Sequence, residues 1–334
     1  MRVEDFKYPL PDSAIAQEAT EPRHDSRLLD TRDMSDHRFL DLPSLLRPGD
    51  LVVVNETRVR AARLAGHRLD TGGSVELLLI EARPDGLWEA LARPSRRLRP
   101  GIVIEIEGIS ATIVEGPEEG MVLLDLVAPD VEAAIAHAGN VPLPPYFHGA
   151  LDDPDRYQTM FARNTGSAAA PTAGLHFTEE VAAGLRLREI EIAAVDLHVG
   201  IDTFRPIAAE EIEDHVMHSE WCSISEPTAA AIGAARARGG RVVAVGTTVV
   251  RTLETFADGS GSVRAGERET DLFLSPGVDF QVVDALVTNF HVPGSTLLVL
   301  VAAFVGDRWR EAYQTALERG YRFLSFGDAM LAER

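Results

Sequence analysis

The hydrophobic pattern changes period twice along this chain. Near the start, "DLVVVNET" (Asp50 to Thr57) is an unbroken β-branched apolar run that gives way to polar residues. It predicts a buried strand leading into a loop. "FLDLPSLLRPGD" before it reads as helix then turn, and "AIAQEA" as the start of a short helical stretch. From residue 65 to about 140 the pattern becomes a series of short alternating segments: "SVELLLIEA", "LWEALAR", "IVIEIEG", "SATIVEG" and "MVLLDLVA". The punctuation between them is "DTGG", "PDG", "RPG" and "GPEEG", which predicts a small antiparallel barrel or sandwich. From about residue 155 strand–helix alternation returns. "EIEIAAVDLHVG" holds a strand, and "EPTAAAIGAARARGG" is a helix with Pro227 near its start and Gly239-Gly240 past its end. "RVVAVGTTVVRTLETFA" is strand, polar turn, helix, and "VVDALVTNFHVPGSTLLVLVAAF" repeats that scheme with Ser295 as N-cap. Such alternation implies a mainly parallel sheet covered by helices. The expected fold class is therefore α/β: a three-layer α/β domain over residues 1–64 and 152–334, interrupted by an inserted antiparallel β-barrel domain at 65–151.

Composition narrows the class. With 334 residues and 45% hydrophobic content the chain can build one large core or two ordinary ones. The longest apolar run, "STLLVLVAAFVG", falls short of the ~20 residues that span a bilayer and reads as a buried helix. "MRVEDFKYPLPDS" has no apolar signal core. A cytoplasmic enzyme with no membrane partner is expected. Cys222 is the only cysteine, which excludes an intrachain disulfide and a cysteine-based zinc site. Fifty-two acidic against 32 basic residues give a net charge of −20. A nucleic-acid partner usually leaves a basic footprint, so any RNA contact must come from a local patch. Lys7 is the only lysine; every other basic residue is arginine, which suits phosphate and carboxylate recognition. "ARPSRRLRPG" puts Arg93, Arg96, Arg97 and Arg99 in one barrel loop, where a phosphate grip and a solvated hairpin loop fit equally well. The acidic "AAEEIEDH" reads as a solvated helix face.

In open α/β sheets ligands bind beyond the carboxyl ends of the strands. There the sequence supplies Asn55, Glu56, Thr57 and Arg58; His198 to Phe204; Gly246, Thr247, Thr248 and Arg251; and Thr288, Asn289, Phe290 and His291. Four polar strand ends in one domain suggest a shared pocket. In "VAVGTTVVRTLE" the helix start favours an anion, but neither a P-loop nor a dinucleotide fingerprint is present. "EDHVMHSE" spaces His215 and His218 three apart, as on one helix face, with no third metal ligand at a diagnostic spacing. No metal is expected. In "AAAPTAGLHFTEE" (Ala168 to Glu180), His176 sits in a constrained loop with Thr172 and Gly174, just before a helix start. A general base or a ligand hydrogen bond is one reading of His176 and His198, and a satisfied structural histidine is the other.

Taken together these motifs resemble the S-adenosylmethionine:tRNA ribosyltransferase-isomerase family of queuosine biosynthesis. The likeness runs through "DSRLL", "PGDLVVVNETRV", "VPLPPYF", "DRYQTMFA", "AAPTAGLHFT", "LHVG", "EDHVMHSE", "VAVGTTVVRTLE", "VVDALVTNFHVPGSTLL" and "YRFLSFGDAM". The resemblance implies an α/β domain with an inserted β-barrel. It also implies a transferase that uses S-adenosylmethionine as ribosyl donor and co-substrate, with no metal or redox cofactor. The acceptor would be the aminomethyl group of a 7-deazaguanine base at the tRNA anticodon wobble position; the product would be epoxyqueuosine-tRNA, with adenine and methionine released. Within that implication His176 is the candidate base for the C5′ proton, with Thr172 and His198 in the same pocket. Thr247, Thr248 and Arg251 would hold the donor's ribose or methionine end, and Asn55, Arg58 and Asn289 a base or phosphate. Gly174, Gly200, His215, His218 and His291 complete the expected substrate-binding set.

Some positions depart from the family pattern. Ala61-Ala62-Arg63-Leu64 stands where Pro-Ala-Arg-Leu is usual, and a proline is missing near Ala19. Asp202 replaces a glycine, and Ser275, Asp279 and Gln281 replace a Tyr-Pro-Gly segment with following lysines. The lost positive charge keeps two other readings open. One is a paralogue that applies the same ribosyl chemistry to a small-molecule acceptor in specialised metabolism. The other is a non-catalytic S-adenosylmethionine- or RNA-binding module.

Overall fold

The computed structural model describes residues 1–148, 151, 153–200 and 207–334. In chain order it begins with β1 (Arg27–Asp30), β2 (Ser35–Arg38), α1 (Leu42–Leu45), β3 (Leu51–Asn55) and β4 (Thr57–Val59). The inserted unit follows as β5 (Arg63–Arg68), β6 (Ser74–Ala82), β7 (Trp88–Arg93), β8 (Val103–Ile106), β9 (Ile109–Glu118), β10 (Met121–Val127) and α2 (Val131–Ala138). Then come β11 (Asn164–Ser167), α3 (Glu179–Leu187), β12 (Glu191–Leu197), β13 (Glu220–Ile224), α4 (Glu226–Ala237), β14 (Val242–Val245) and α5 (Thr247–Thr255). The chain closes with β15 (Gly266–Thr270), β16 (Ala285–Asn289), α6 (Thr296–Val305), α7 (Arg308–Glu318) and β17 (Ala329–Glu333).

Nine strands form one sheet in the order β15-β13-β12-β3-β14-β16-β17-β1-β2. Strand β3 lies near its middle and is buried at every position. Leu51 and Val53 pack with α4, α5 and α6 on one face. Val52 and Val54 pack with α1 and α3 on the other. That two-sided burial makes three layers, and it is why β3 reads as an unbroken apolar run. The central strands β12, β3, β14 and β16 are mutually parallel. The flanks are not. β17 runs antiparallel to β16 and β13 antiparallel to β12, so the sheet is mixed rather than mainly parallel. One crossover helix returns the next strand in parallel. Between β16 and β17 there are two helices, α6 and α7, and the second reverses the direction again.

Strands β5 to β10 close into a barrel in the order β10-β7-β6-β5-β8-β9, every pairing antiparallel. Its first strand, β5, is not among the alternating segments of the sequence, because "RLAGHR" alternates small against polar residues more than apolar against polar. Inward residues such as Leu64, Leu77, Ala90, Ile104, Ala111 and Leu124 form a separate core, joined by Ile135 of α2. Entry and exit of the insert are fastened to each other: Arg63 N–H donates to Asn140 O at 3.0 Å and Asn140 N–H to Arg63 O at 2.8 Å. Beyond that neck, β4 and β11 pair in parallel as a two-stranded ribbon.

Two helical expectations reduce to single turns. "AIAQEA" begins at Ala14, the last residue of a 3-10 turn at Asp12–Ala14, and continues without a helix. The acidic segment before His215 holds only the 3-10 turn Ile212–Asp214. Ser295 does cap α6, its hydroxyl accepting from Leu298 N–H at 3.3 Å.

The amino ends of the central strands are tied by ions. Buried Asp50 accepts from the Arg47 and Arg241 backbone N–H groups, at 2.9 and 3.0 Å, and from the Arg241 guanidinium at 2.6 Å. Arg241 also meets Glu333 of β17 at 2.5 Å. Burial alone would raise the Asp50 carboxyl pKa; hydrogen bonds from Arg241 and Arg47 outweigh it and hold the group below its ordinary value. A carboxyl depressed on folding stabilises above its unfolded pKa, and that contribution disappears as pH falls through the folded value. Replacing Asp50 by Ala leaves a buried guanidinium short of a partner, so unfolding in denaturant should show a loss of about 3 kcal/mol at pH 7. The difference from the parent protein should narrow as pH falls below the carboxylate range.

Candidate active site

A cleft opens at the carboxyl ends of β14 and β16. This is where a parallel sheet presents ligands. The turn after β14 contributes Thr247 and Thr248, the first two residues of α5. Thr288 and Asn289 end β16, and His291 lies just beyond. Thr172 comes from the 3-10 turn Thr172–His176, and Val199 from the end of β12. The wall thus combines the positive end of a helix dipole, four threonine hydroxyls, an amide and an imidazole.

Behind the wall lies His176, buried and stacked on Phe39 with ring centroids 4.9 Å apart. It is not among the cavity-lining residues. Its Nδ1 meets Ser26 Oγ at 2.7 Å and its Nε2 meets Asn289 Nδ2 at 3.1 Å. Asn289 Nδ2 also faces the Leu324 and Asp328 carbonyl oxygens at 3.2 and 3.4 Å, which fixes the amide with its nitrogen inward. An inward NH2 donates, so His176 Nε2 accepts and Nδ1 carries the hydrogen towards Ser26. The outward oxygen of Asn289 accepts from Thr172 Oγ1 at 3.0 Å. Burial, reinforced by the charges of Arg322 and Arg23, pushes the His176 pKa down to about 3. The imidazole is neutral, as this relay requires. His291 is also buried, its Nε2 2.9 Å from Thr288 Oγ1, and burial pushes its pKa down to about 3.

Other polar residues at the strand ends turn out to build the scaffold. Asn55 donates to Leu197 O at 3.1 Å and accepts from Leu197 N–H and Thr57 N–H at 3.2 and 3.1 Å, which clamps the end of β3 to that of β12. Its one contact with the cavity wall is a 3.3 Å bond to Thr248 Oγ1. Arg251, 4% exposed, is ion-paired to Glu220 and donates to the Leu272 and Thr270 carbonyls. Glu220 also accepts from Gly200 N–H at 2.7 Å and faces His218 Nε2 at 3.4 Å. His215 stands edge-on to Phe273, 5.4 Å between centroids. It caps a 3-10 turn in extended conformation, so it and His218 do not share a helix face.

Val199, just past the end of β12, lines the cleft, and its neighbour His198 does not. His198 packs on Trp221, 4.6 Å between centroids, and against the backbone of Gly166. A Cβ on Gly166 would lie 2.2 Å from the ring. Gly174 sits inside the 3-10 turn, its N–H donating to Pro171 O at 2.8 Å. Arg58 pairs with Asp155 at the surface, 3.3 Å apart. Arg93, Arg96, Arg97 and Arg99 are exposed at the end of the β6–β7 hairpin where Arg93 meets Glu76. The other end of that hairpin carries Glu81, which feels the charges of His198 and Glu269 in the α/β domain. The arginine loop is therefore at the barrel end remote from the cleft.

Among the departures, Ser275, Asp279 and Gln281 precede β16 at the sheet end away from the cleft, where Gln281 N–H meets Glu254 at the far end of α5. Asp202 lies outside the described residues. The expected set did not include Ser26, Thr288, Glu220, Tyr146 or Ser325. All five fall inside motif segments, but no spacing rule in the sequence brings them to one place.

Comparison with known proteins places this geometry. A family model described as queuosine biosynthesis protein matches residues 3–332. A protein of Symbiobacterium thermophilum is 51% identical, over 99% of each chain. One from Anaeromyxobacter sp. (strain Fw109-5) is 52% identical, over 100% of this chain and 99% of its own. Both are named S-adenosylmethionine:tRNA ribosyltransferase-isomerase. The crystal structure of the S-adenosylmethionine tRNA ribosyltransferase of Thermotoga maritima is 38% identical, with TM-score 0.55 over 98% of this chain and 99% of that one. A match of this extent, with a sheet-end cleft built from the matching segments, means that the chain belongs to the queuosine biosynthesis protein family.

Proposed function

We propose that the chain is an S-adenosylmethionine:tRNA ribosyltransferase-isomerase. It transfers and isomerises the ribosyl unit of S-adenosylmethionine onto the aminomethyl group of a 7-deazaguanine at the tRNA wobble position, releasing adenine and methionine. S-adenosylmethionine is a co-substrate, no metal or redox cofactor takes part, and the cytoplasm, where tRNA is found, is the site of action. The observation that carries this reading is the sheet-end cleft with a helix N-terminus and a fixed Thr172–Asn289 pair, in a chain that matches the family from end to end.

Charge supports a cationic donor. The cleft has no free positive side chain among its described lining residues. His176 and His291 are neutral, and Arg251 nearby is compensated by Glu220. A sulfonium therefore enters without repulsion, while the start of α5, with Thr247 and Thr248, offers N–H groups to the donor's carboxylate. Thr172 and Asn289 face the ribosyl unit. His176 holds Asn289 through a committed Nε2, and its depressed pKa makes it a weak proton acceptor. We assign it to positioning rather than to taking the C5′ proton.

Adenine release from S-adenosylmethionine in the presence of deazaguanine-bearing tRNA tests the function directly. No release would refute it. His176→Gln should bind donor normally and slow release about tenfold. A loss beyond ~10³-fold with binding intact would return the base role to His176. RNA contact is proposed for Arg93, Arg96, Arg97 and Arg99. In the Arg96/Arg97 double-alanine variant the salt dependence of tRNA binding should become shallower by nearly two charges.

The buried histidines also predict a pH effect. In the unfolded chain each titrates near 6.5, while the folded protein binds those protons only near pH 3. Below 6.5 the unfolded state therefore holds more protons and is favoured. Stability is complete above that value and falls as pH drops, by up to ~1.4 kcal/mol per pH unit for each histidine. Between pH 6.5 and 5 the His176→Gln variant should lose about 1.5 kcal/mol less than the parent in denaturant titrations.

A further inference from the structure

Two motif segments, "VPLPPYF" and "YRFLSFGDAM", are far apart in the chain and meet in the cleft. Tyr146 and Ser325 both line it, and Tyr146 Oη lies 2.5 Å from Ser325 Oγ. The loop that delivers Ser325 is tightly determined. Asp328 N–H donates to Arg322 O at 2.7 Å, and Arg322 N–H donates to Asp328 Oδ2 at 2.8 Å. A Cβ on Gly327 would stand 2.4 Å from Arg322 O, so only glycine closes this turn. Leu324, buried, adopts φ 70°, a left-handed conformation that is unfavourable for a leucine. It is held there by its N–H on Phe290 O at 3.1 Å and by Asn289 Nδ2 on its carbonyl. A strained residue over-determined by its neighbours marks a position kept for the side chain it aims, and the next side chain is that of Ser325.

The strand order supplies a direction. Thr247 comes after β14 and Ser325 before β17, with β16 between them. Two strand spacings are roughly 10 Å, about the reach from the carboxylate of S-adenosylmethionine to its purine. With the carboxylate at the start of α5, the purine falls at Ser325.

We propose that Tyr146 Oη donates to Ser325 Oγ and that Ser325 donates onward to a ring nitrogen of the departing adenine, making Ser325 a catalytic residue for purine loss. Breaking the C1′–N9 bond sends its electron pair onto the purine, which leaves as an anion held by the Ser325 hydrogen bond and takes its proton from water, while the C5′ proton passes to water; one proton lost and one gained close the count. Ser325 stabilises the charge while it develops, and the phenol behind it polarises the serine hydroxyl. Burial pushes the Tyr146 pKa up to about 12, which keeps it a neutral donor across the working range.

The assignment rests on the cleft holding S-adenosylmethionine, and one experiment separates the two. Adenine release and direct S-adenosylmethionine binding are measured for the parent, Ser325→Ala and Tyr146→Phe. Each is then assayed with a donor analogue whose base is 8-azaadenine, a more acidic and better leaving group. If the parent releases no adenine, the function itself is refuted. If it does, Ser325→Ala should lower release at saturating donor about 100-fold with donor affinity within threefold, Tyr146→Phe should show a smaller loss, and both deficits should shrink with the analogue. Equal deficits with both donors, or a defect confined to KM, overturns the assignment. Tyr146→Phe leaves the Leu324–Ser325 turn intact, so it decides the matter if Ser325→Ala fails to fold.

Discussion

One side-chain amide holds the carboxyl end of this sheet in register with everything around it. Asn289 touches the 3-10 turn of His176, the hydroxyl of Thr172, and the Leu324 and Asp328 carbonyls. In a buried setting each unmade hydrogen bond costs about 1–3 kcal/mol, so none of these partners can drift without exposing another. The neutral state of His176 belongs to the same constraint. A protonated ring would present two donors, one of them against the Asn289 NH2, and the relay from Ser26 to Thr172 would break.

The fold was legible in the sequence wherever periodicity reflected burial. The apolar run of β3, the alternating barrel strands and the Ser295 cap of α6 all declare themselves. What stayed hidden was chain direction, because a second helix in a row reverses the next strand without changing its pattern. The site was half legible. Thr172, Thr247, Thr248, Asn289 and His291 do converge. Asn55 and Arg251 look identical on paper but hydrogen-bond the frame, because a polar residue at a strand end serves equally to dock a ligand or to satisfy the neighbouring backbone. Only their partners in space distinguish them. Proximity in sequence puts His198 at the cleft; in the structure it packs instead on Trp221 and Gly166.

Charge is distributed by function rather than by average. The chain carries −20, while around the cleft the buried imidazoles of His176 and His291 are neutral and Arg251 is paired with Glu220. The exposed arginines of "ARPSRRLRPG" are set at the end of the β6–β7 hairpin where Arg93 meets Glu76. An acidic bulk and a local basic loop are therefore compatible within one molecule, and salt screens each exposed charge from those beyond about 8–10 Å.

The ribbon of β4 and β11 has a consequence for how the two domains are joined. Because these strands are parallel, the chain coming back from the barrel cannot enter β11 directly. It must first travel the length of the junction to reach the same starting edge. The first residues after Asn140 bring Tyr146 into the lining of the cleft. The barrel is thus more than a module hung on a finished enzyme. Its exit route supplies Tyr146 to the lining of the chamber, so the insertion cannot be trimmed without removing part of that wall. Barrel exit and cleft wall are thus one piece of chain.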